Sequence, residues 1–420
     1  MSPAERLLSV VLDNRQGHRR ALPSWCTAHP ETLAAILAAH RDNDDPILVE
    51  ATCNQVNQEG GYTGMTPHKF RLFIEGLAKA EGIDAQRLIF GGDHLGPNPW
   101  RDQTSNEAMR RAGEMVRAYV EAGYVKIHLD ASMCCADDVS LEEAEIAARA
   151  GQLCAIAESA TPKQTLVYVV GTEVPIPGGE TTPLAAHAVT PAANVHRTID
   201  LHTKAFASRG LGDVMSRTVA IVVQPGVDFN NNEILRFDMK AAAPLVRALA
   251  EHSTIAFEGH STDFQSEAAL GDLVDSNFAF LKVGPELTFA YREAVFAMSL
   301  MDRAFAGLGD SPVVRALEEV MDADPSQWRP YVAEGDNARV DRLFGLSDRV
   351  RYYWGKQQVR AAVDAQMTRM DSHNISPGVF HQFMGAMKSD KPPASLSKRV
   401  IQVKVQEVVR RYCNAAGARG

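Results

Sequence analysis

Over its first three-quarters the chain alternates two hydrophobic patterns. Short continuous apolar runs, the mark of buried strands, are each followed by a longer stretch whose apolar positions recur at helical spacing. The runs predict strands at residues 21–24, 47–51, 88–93, 125–130, 166–172, 218–224, 255–258 and 278–283. The helical stretches fall at 30–41, 67–81, 105–122, 141–160, 191–208, near 239–251, near 264–274 and at 287–306. Local signals agree: Thr66-Pro67 offers a cap and a first-turn proline, and Gly123 closes the third helix. Strand-helix units in this number predict an α/β fold, a (β/α)8 TIM barrel occupying residues 1–308. An open doubly wound sheet would show the same alternation. Polar endings on nonadjacent strands favour closure, because only a barrel aims them at one point. From Ser311 the strands stop. Helices are predicted near 313–322, 340–354, 356–370, 377–387 and 397–412, punctuated by Asp324-Pro325 and Pro392-Pro393. Residues 309–420 are therefore expected to form a C-terminal helical extension, beside the barrel or at a subunit interface.

The strand ends carry the candidate chemistry. The third closes on Gly91-Gly92-Asp93-His94-Leu95-Gly96-Pro97-Asn98. A carboxylate beside an imidazole at the carboxyl end of a buried strand suits a metal ligand, His94, next to a proton carrier, Asp93. Glu258 follows the apolar run Ile255-Ala256-Phe257, so its charge needs a cation or strong donors, and a metal or a structural ion pair would each serve. His260 stands just beyond it. His128 and Asp130 alternate on the fourth strand and share a face. Glu173 ends the fifth strand before Pro175, Pro177, Gly178 and Gly179, a loop that reads as a lid or as a packed turn. Asn54 opens an amide-rich loop suited to sugar hydroxyls. Ser261-Thr262 and Lys282 lie at the last two strand ends, where barrels commonly bind phosphate, although Ser261-Thr262 could simply cap a helix.

Charge and composition narrow the function. A formal charge of −9 argues against nucleic acid or an anionic membrane as partner. There is no apolar run of the roughly 18 residues a membrane span needs, and the N-terminus lacks the order of a secretory signal. The six cysteines are irregularly spaced, which fits reduced thiols and a cytoplasmic location. The phosphate loop of nucleotide kinases, the dinucleotide glycine fingerprint and the serine nucleophile elbow are all missing, which disfavours kinases, dehydrogenases and hydrolases of those types.

Several longer motifs carry a family resemblance. Glu50-Ala51-Thr52-Cys53-Asn54-Gln55-Val56 runs on to Gly60-Gly61-Tyr62-Thr63-Gly64-Met65-Thr66-Pro67. The third-strand motif is joined by Lys126-Ile127-His128-Leu129-Asp130-Ala131-Ser132-Met133, Gly171-Thr172-Glu173-Val174-Pro175 and Gly259-His260-Ser261-Thr262-Asp263. Together they resemble the tagatose-bisphosphate aldolase Z-subunit family (GatZ/KbaZ), which is similar to the zinc-dependent class II aldolases. The resemblance implies a D-tagatose 6-phosphate 4-epimerase that yields D-fructose 6-phosphate in galactitol or tagatose catabolism. Its alternative is a non-catalytic stabilising subunit of a class II tagatose-1,6-bisphosphate aldolase. It implies a phosphorylated ketohexose as substrate, a second copy of the chain or an aldolase subunit as partner, and a divalent ion, Zn, Mn or Mg. His94, Glu258 and Glu173 would hold the ion, while Asp93, Asp130 and Glu173 would act in catalysis. Asn54, His128, His260, Ser261, Thr262 and Lys282 would bind substrate. The chain departs from the aldolases at Gln224-Pro225-Gly226 and at Glu258, where they carry metal histidines. That departure implies an oxygen-rich site for a harder divalent ion, or no metal at all.

Overall fold

The apolar runs form β1 (Leu22–Trp25), β2 (Ile47–Thr52), β3 (Leu88–Leu95), β4 (Lys126–Leu129), β5 (Val167–Val170), β6 (Thr218–Val223), β7 (Ala256–Gly259) and β8 (Phe278–Val283). The computed structural model describes residues 1–161, 165–172, 184, 189–306, 310–333, 335, 337–373, 375–385 and 395–417. In it the strands pair in parallel and close into a barrel, with β1 between β2 and β8. The expected fold class is correct.

The chain opens with a helix that the sequence reading did not anticipate, α1 (Pro3–Arg15), started by a capping box between Ser2 and Glu5. The outer helices follow as α2 (Pro30–Ala39), α3 (Pro67–Ala80), α4 (Ser105–Glu121), α5 (Glu143–Ser159), α6 (Ala192–Ala207), α7 (Met239–Ala248), α8 (Glu267–Asp275) and α9 (Pro285–Ala306). A two-residue antiparallel ribbon, Asp228–Phe229 with Ile234–Leu235, interrupts the stretch before α7. Beyond the barrel come α10 (Pro312–Ala323), α11 (Ala338–Phe344), α12 (Gln357–Ser372), α13 (Pro377–Met384) and α14 (Leu396–Ala415). No described helix is long and apolar enough to cross a membrane.

Two expected elements differ. Residues 340–354 do not form one helix. α11 stops at Phe344, where Gly345 turns to an extended ψ of 146° and leaves the helix, and a short 3-10 turn, Arg349–Tyr352, follows. The seventh outer helix, α8, begins at Glu267 rather than at Phe264. Phe264 has φ +61° and Ser266 supplies the cap.

Strand alternation stacks the barrel interior in layers. The lowest layer is apolar: Leu22, Leu48, Ile89, Val167 and Ala256 join Leu7, Val10 and Val11 of α1, which seals the N-terminal end. Two residues further along the strands the interior turns ionic, with Glu50 on β2, Lys126 on β4 and Glu258 on β7, all fully buried. Gly91 sits opposite Glu50 in register, and a Cβ there would lie 2.8 Å from Glu50 Oε1. A glycine is needed to leave room for the carboxylate. The next layer holds Asp93, His128 and His260. At the far edge α14 packs against α2, α8 and α9, and the Ala21 amide donates to the Ala416 carbonyl at 3.0 Å. The last helix thus completes the outer ring. It buries Val400, Ile401, Val405, Val409 and Tyr412.

Candidate active site

Above the ionic layer a cavity of about 690 Å³ opens at the carboxyl ends of the strands. Asp93, His94, His260 and Lys282 line its floor, and Asn54 and Ser261 its sides. His94 and Ser261 both adopt left-handed backbone conformations, φ +49° and +52°. Such angles are disfavoured for side-chain-bearing residues and cluster at functional sites. At Gly96 a Cβ would lie 1.6 Å from the Asp130 carbonyl, so only glycine lets the chain leave β3 this close to β4.

Three imidazoles meet on the floor. Ring centroids of His94 and His128 are 5.0 Å apart, of His94 and His260 4.9 Å, and of His128 and His260 5.2 Å. Each ring carries a carboxylate on one nitrogen. His94 Nδ1 lies 2.8 Å from Asp130 Oδ2, His128 Nδ1 2.9 Å from Asp93 Oδ1, and His260 Nε2 3.0 Å from Glu258 Oε1. Burial opposes ionisation of Asp93, but His94, Lys282 and His128 hold its pKa well below the usual carboxylate range. The His94 amide also donates to His128 Nδ1, at 3.2 Å, so both contacts of the ring fall on that atom and none on Nε2. That Nε2 is buried and has no hydrogen-bond partner among the described residues. Asp130 is likewise held low despite its burial, by His94 and by Ser132, whose hydroxyl donates at 2.6 Å. Burial opposes charge on His94, yet Asp93 and Asp130 raise its pKa. Burial pushes His260 down to about 3, so that ring is neutral.

One donor atom from each of Asp93, His94, His128 and His260 can be chosen so that all lie within 4.8 Å of one another. Imidazoles fixed by carboxylates on their far nitrogens are how proteins orient metal-ligating histidines. The unpartnered His128 Nε2 is the observation that makes the fit to a divalent ion specific. A second acidic group, Glu50, Asp93 and Glu258, also converges, but lysines already occupy it. Lys126 Nζ lies 2.6 Å from Glu50 Oε1 and 2.5 Å from Glu258 Oε2. Lys282 pairs with Glu50, and lies 2.7 Å from Asp93 Oδ1 and 3.6 Å from Glu258 Oε1. Burial would lower the Lys282 pKa, but its three carboxylates hold it well above the ordinary value.

The structure therefore brings together most of the residues singled out in the sequence, in partly different surroundings. Asp93, His94, His128 and His260 share one point. Glu258 lies beneath them, with its oxygens on two lysines and on His260, and so acts on the site through the imidazole. Asp130 is likewise engaged with His94 and Ser132. Lys282 sits among carboxylates rather than facing open cavity alone. Asn54 and Ser261 line the cavity, but Thr262 does not. Its hydroxyl donates to the Lys282 carbonyl at 2.6 Å and lies 3.0 Å from the Tyr412 hydroxyl. Glu173 lies outside the described residues. Glu50 and Lys126 stood in the sequence motifs without a role, although Lys126 shares the inward alternation of His128 and Asp130. Arg351, Lys356 and Arg360 also line the cavity. They come from the C-terminal extension, and no local motif marks them.

Residues 7–417 match the family described as D-tagatose-1,6-bisphosphate aldolase subunit GatZ/KbaZ-like. The chain is 41% identical, over 98% of its length and 99% of the relative's, to a protein of Agrobacterium fabrum named D-tagatose 6-phosphate 4-epimerase. It is 40% identical, over 96% of its length and 98% of the relative's, to an Escherichia coli O6:H1 protein named D-tagatose-1,6-bisphosphate aldolase subunit GatZ. A crystal structure from Sinorhizobium meliloti 1021, described as that of "a probable tagatose 6 phosphate kinase", superposes with a TM-score of 0.85 at 37% identity. That superposition covers 94% of this chain and all, 100%, of the other.

Proposed function

The chain belongs to the GatZ/KbaZ-like family, and from that premise we propose that it is a D-tagatose 6-phosphate 4-epimerase producing D-fructose 6-phosphate. The observation that carries this reading is the floor of the cavity: three imidazoles, each backed by a carboxylate, with a free nitrogen beside an ionised Asp93. Such a constellation suits a reacting site better than inert packing. His94, His128 and His260 would hold a divalent ion. Three imidazoles beside a carboxylate suit zinc or a neighbouring first-row ion better than magnesium. When bound, that ion would supply positive charge to stabilise the developing enediolate.

The chain's own residues supply the proton handling. Asp93 is kept anionic by Lys282 and His128, and its Oδ2 faces the side of Cys26, whose thiol lies 3.7 Å away. It accepts the C4 hydroxyl proton. The C3–C4 bond then breaks with its electron pair left on C3, giving a three-carbon enediolate and an aldehyde. The aldehyde turns its other face, the bond re-forms, and Asp93 returns the proton to the C4 oxygen. Atoms and electrons balance without an outside oxidant. Asp130 and Glu258 fix the imidazoles throughout. Asn54 stands at the cavity side, where an amide can read a sugar hydroxyl.

The test uses the purified full-length chain with tagatose 6-phosphate and Zn²⁺, Mn²⁺ or Mg²⁺ in turn, followed by 13C NMR. Fructose 6-phosphate from this chain alone supports the epimerase. No turnover, together with a raised unfolding temperature of a co-purified class II aldolase, would establish the stabilising-subunit reading instead. Consumption of ATP would indicate a kinase.

A further inference from the structure

This inference rests on the ketose-phosphate reading and deepens it. In barrels of this kind a phosphate commonly sits beyond the last two strands, on backbone N–H groups at a helix start. Here three of those groups are taken. Asp263 Oδ1 accepts from the Gly284 amide at 3.1 Å and from the Glu286 amide at 2.8 Å. Glu286 Oε2 accepts from the Phe264 amide at 2.7 Å, and its other oxygen pairs with Arg411. The residue between the two donors, Pro285, has no N–H. Asp263 and Glu286 are both buried. Two carboxyl groups of the protein thus occupy the amides of Phe264, Gly284 and Glu286, on which a phosphate would otherwise rest.

The same cavity offers cations elsewhere. Arg351, Lys356 and Arg360 line the wall built by the 3-10 turn and the start of α12. Among the described residues neither Arg351 nor Arg360 has an ion-pair partner, and Lys356 reaches only Asp324, at 3.7 Å. Tyr352 holds the Arg351 guanidinium at 2.9 Å, as does the Asp348 carbonyl at 3.0 Å. The nearby Asp348 carboxylate is engaged by Arg292 at 2.7 Å and by Thr288 at 2.5 Å. This is a positive, partly preorganised wall in a chain of net charge −9. It stands apart from the acidic floor where the carbon chemistry would occur.

We propose that Asp263 and Glu286 are built-in substitutes for a phosphate at the last two strands, and that the substrate's single phosphate binds instead to Arg351, Lys356 and Arg360. The chain would then take ketose monophosphates phosphorylated at the end remote from the carbonyl, and gain nothing from a second phosphate at C1.

Isothermal titration calorimetry of the full chain tests this with fructose, fructose 6-phosphate and fructose 1,6-bisphosphate. Fructose 6-phosphate should bind at least about 10-fold more tightly than fructose, a difference that Lys356→Ala/Arg360→Ala abolishes. Both of those positions are exposed, so the fold should survive. The bisphosphate should bind no more tightly than the monophosphate. Unchanged fructose 6-phosphate affinity in the double variant overturns the assignment. So does a bisphosphate that binds roughly 10-fold tighter than the monophosphate, or a wild type that prefers the phosphorylated sugar not at all. Binding as expected without epimerase turnover would remove the catalytic reading and leave this one standing.

Discussion

Lys126 offers the most direct test of the ionic layer. Its ammonium is fully buried, 2.6 Å from Glu50 and 2.5 Å from Glu258, and lies 5.2 Å from the centre of the Phe280 ring. Three carboxylates, those of Glu50, Asp93 and Glu258, face two ammonium groups, those of Lys126 and Lys282. Lys126→Met keeps the length of the side chain and removes one of the two cations. The remaining lysine cannot neutralise three buried acids. Stranding a buried charge in this way costs about 3–5 kcal/mol, against a total stability of about 5–15 kcal/mol for a folded domain. Equilibrium urea unfolding followed by far-UV circular dichroism should show that loss. Lys126→Met/Glu50→Gln should recover much of it, with a coupling energy above about 1 kcal/mol. If Lys126→Met unfolds within about 1 kcal/mol of wild type, or the two changes simply add, the interior charges do not compensate one another as described.

Asp130→Asn should weaken divalent-ion binding about 10- to 100-fold, because it loosens the His94 ring; calorimetric titration with Zn²⁺ reads this, and unchanged affinity would count against a histidine site. Burial and the Glu286 charge push the Asp263 carboxyl up to about 7. The folded protein therefore keeps that proton where the unfolded chain has released it. The stability this group contributes is complete below about pH 4 and is lost as pH rises to 7. Asp263→Asn should gain on wild type over that range, and a pH-independent difference in unfolding midpoint would refute the assignment. Ending the chain at Ser395 removes α14 with its buried Val400, Ile401, Val405 and Tyr412, and uncovers the faces of α2, α8 and α9 on which it packs. The truncated chain should be insoluble, and a soluble product with native circular dichroism would mark the extension as separable.

What could be read from the sequence was what strands make periodic. Asp93, His94 and His260 stand where apolar runs stop, so their convergence followed once closure was assumed. Lys126 obeys the same alternation, but a lysine at the start of an apolar run looks like a solvated strand edge. Only the partners Glu50 and Glu258, far away in sequence, give it a reason to be inside. Glu258 showed the converse difficulty. Its burial was legible, yet whether a metal or a lysine balanced it depended on a neighbour across the barrel. The role of Thr262 failed to appear because Tyr412, its hydroxyl partner, lies 150 residues away. α1 went unseen although Leu7, Val10 and Val11 recur at helical spacing, because they face a barrel end that no local pattern announces. Arg351 and Arg360 are ordinary helix-surface residues by sequence. Only the return of the C-terminal segment over the cavity gives them a site.

The helix beneath the barrel has a kinetic consequence. With Leu7, Val10 and Val11 stoppering the lower end, whatever is cleaved above them can depart only by the way it came. An aldolase and a C4 epimerase share the bond-breaking half of their chemistry. They differ in whether the aldehyde escapes before it swivels and recombines. A blind-ended chamber, with the proposed charged tether on its side wall, would lengthen that fragment's dwell time and so favour inverting one carbon over splitting the sugar.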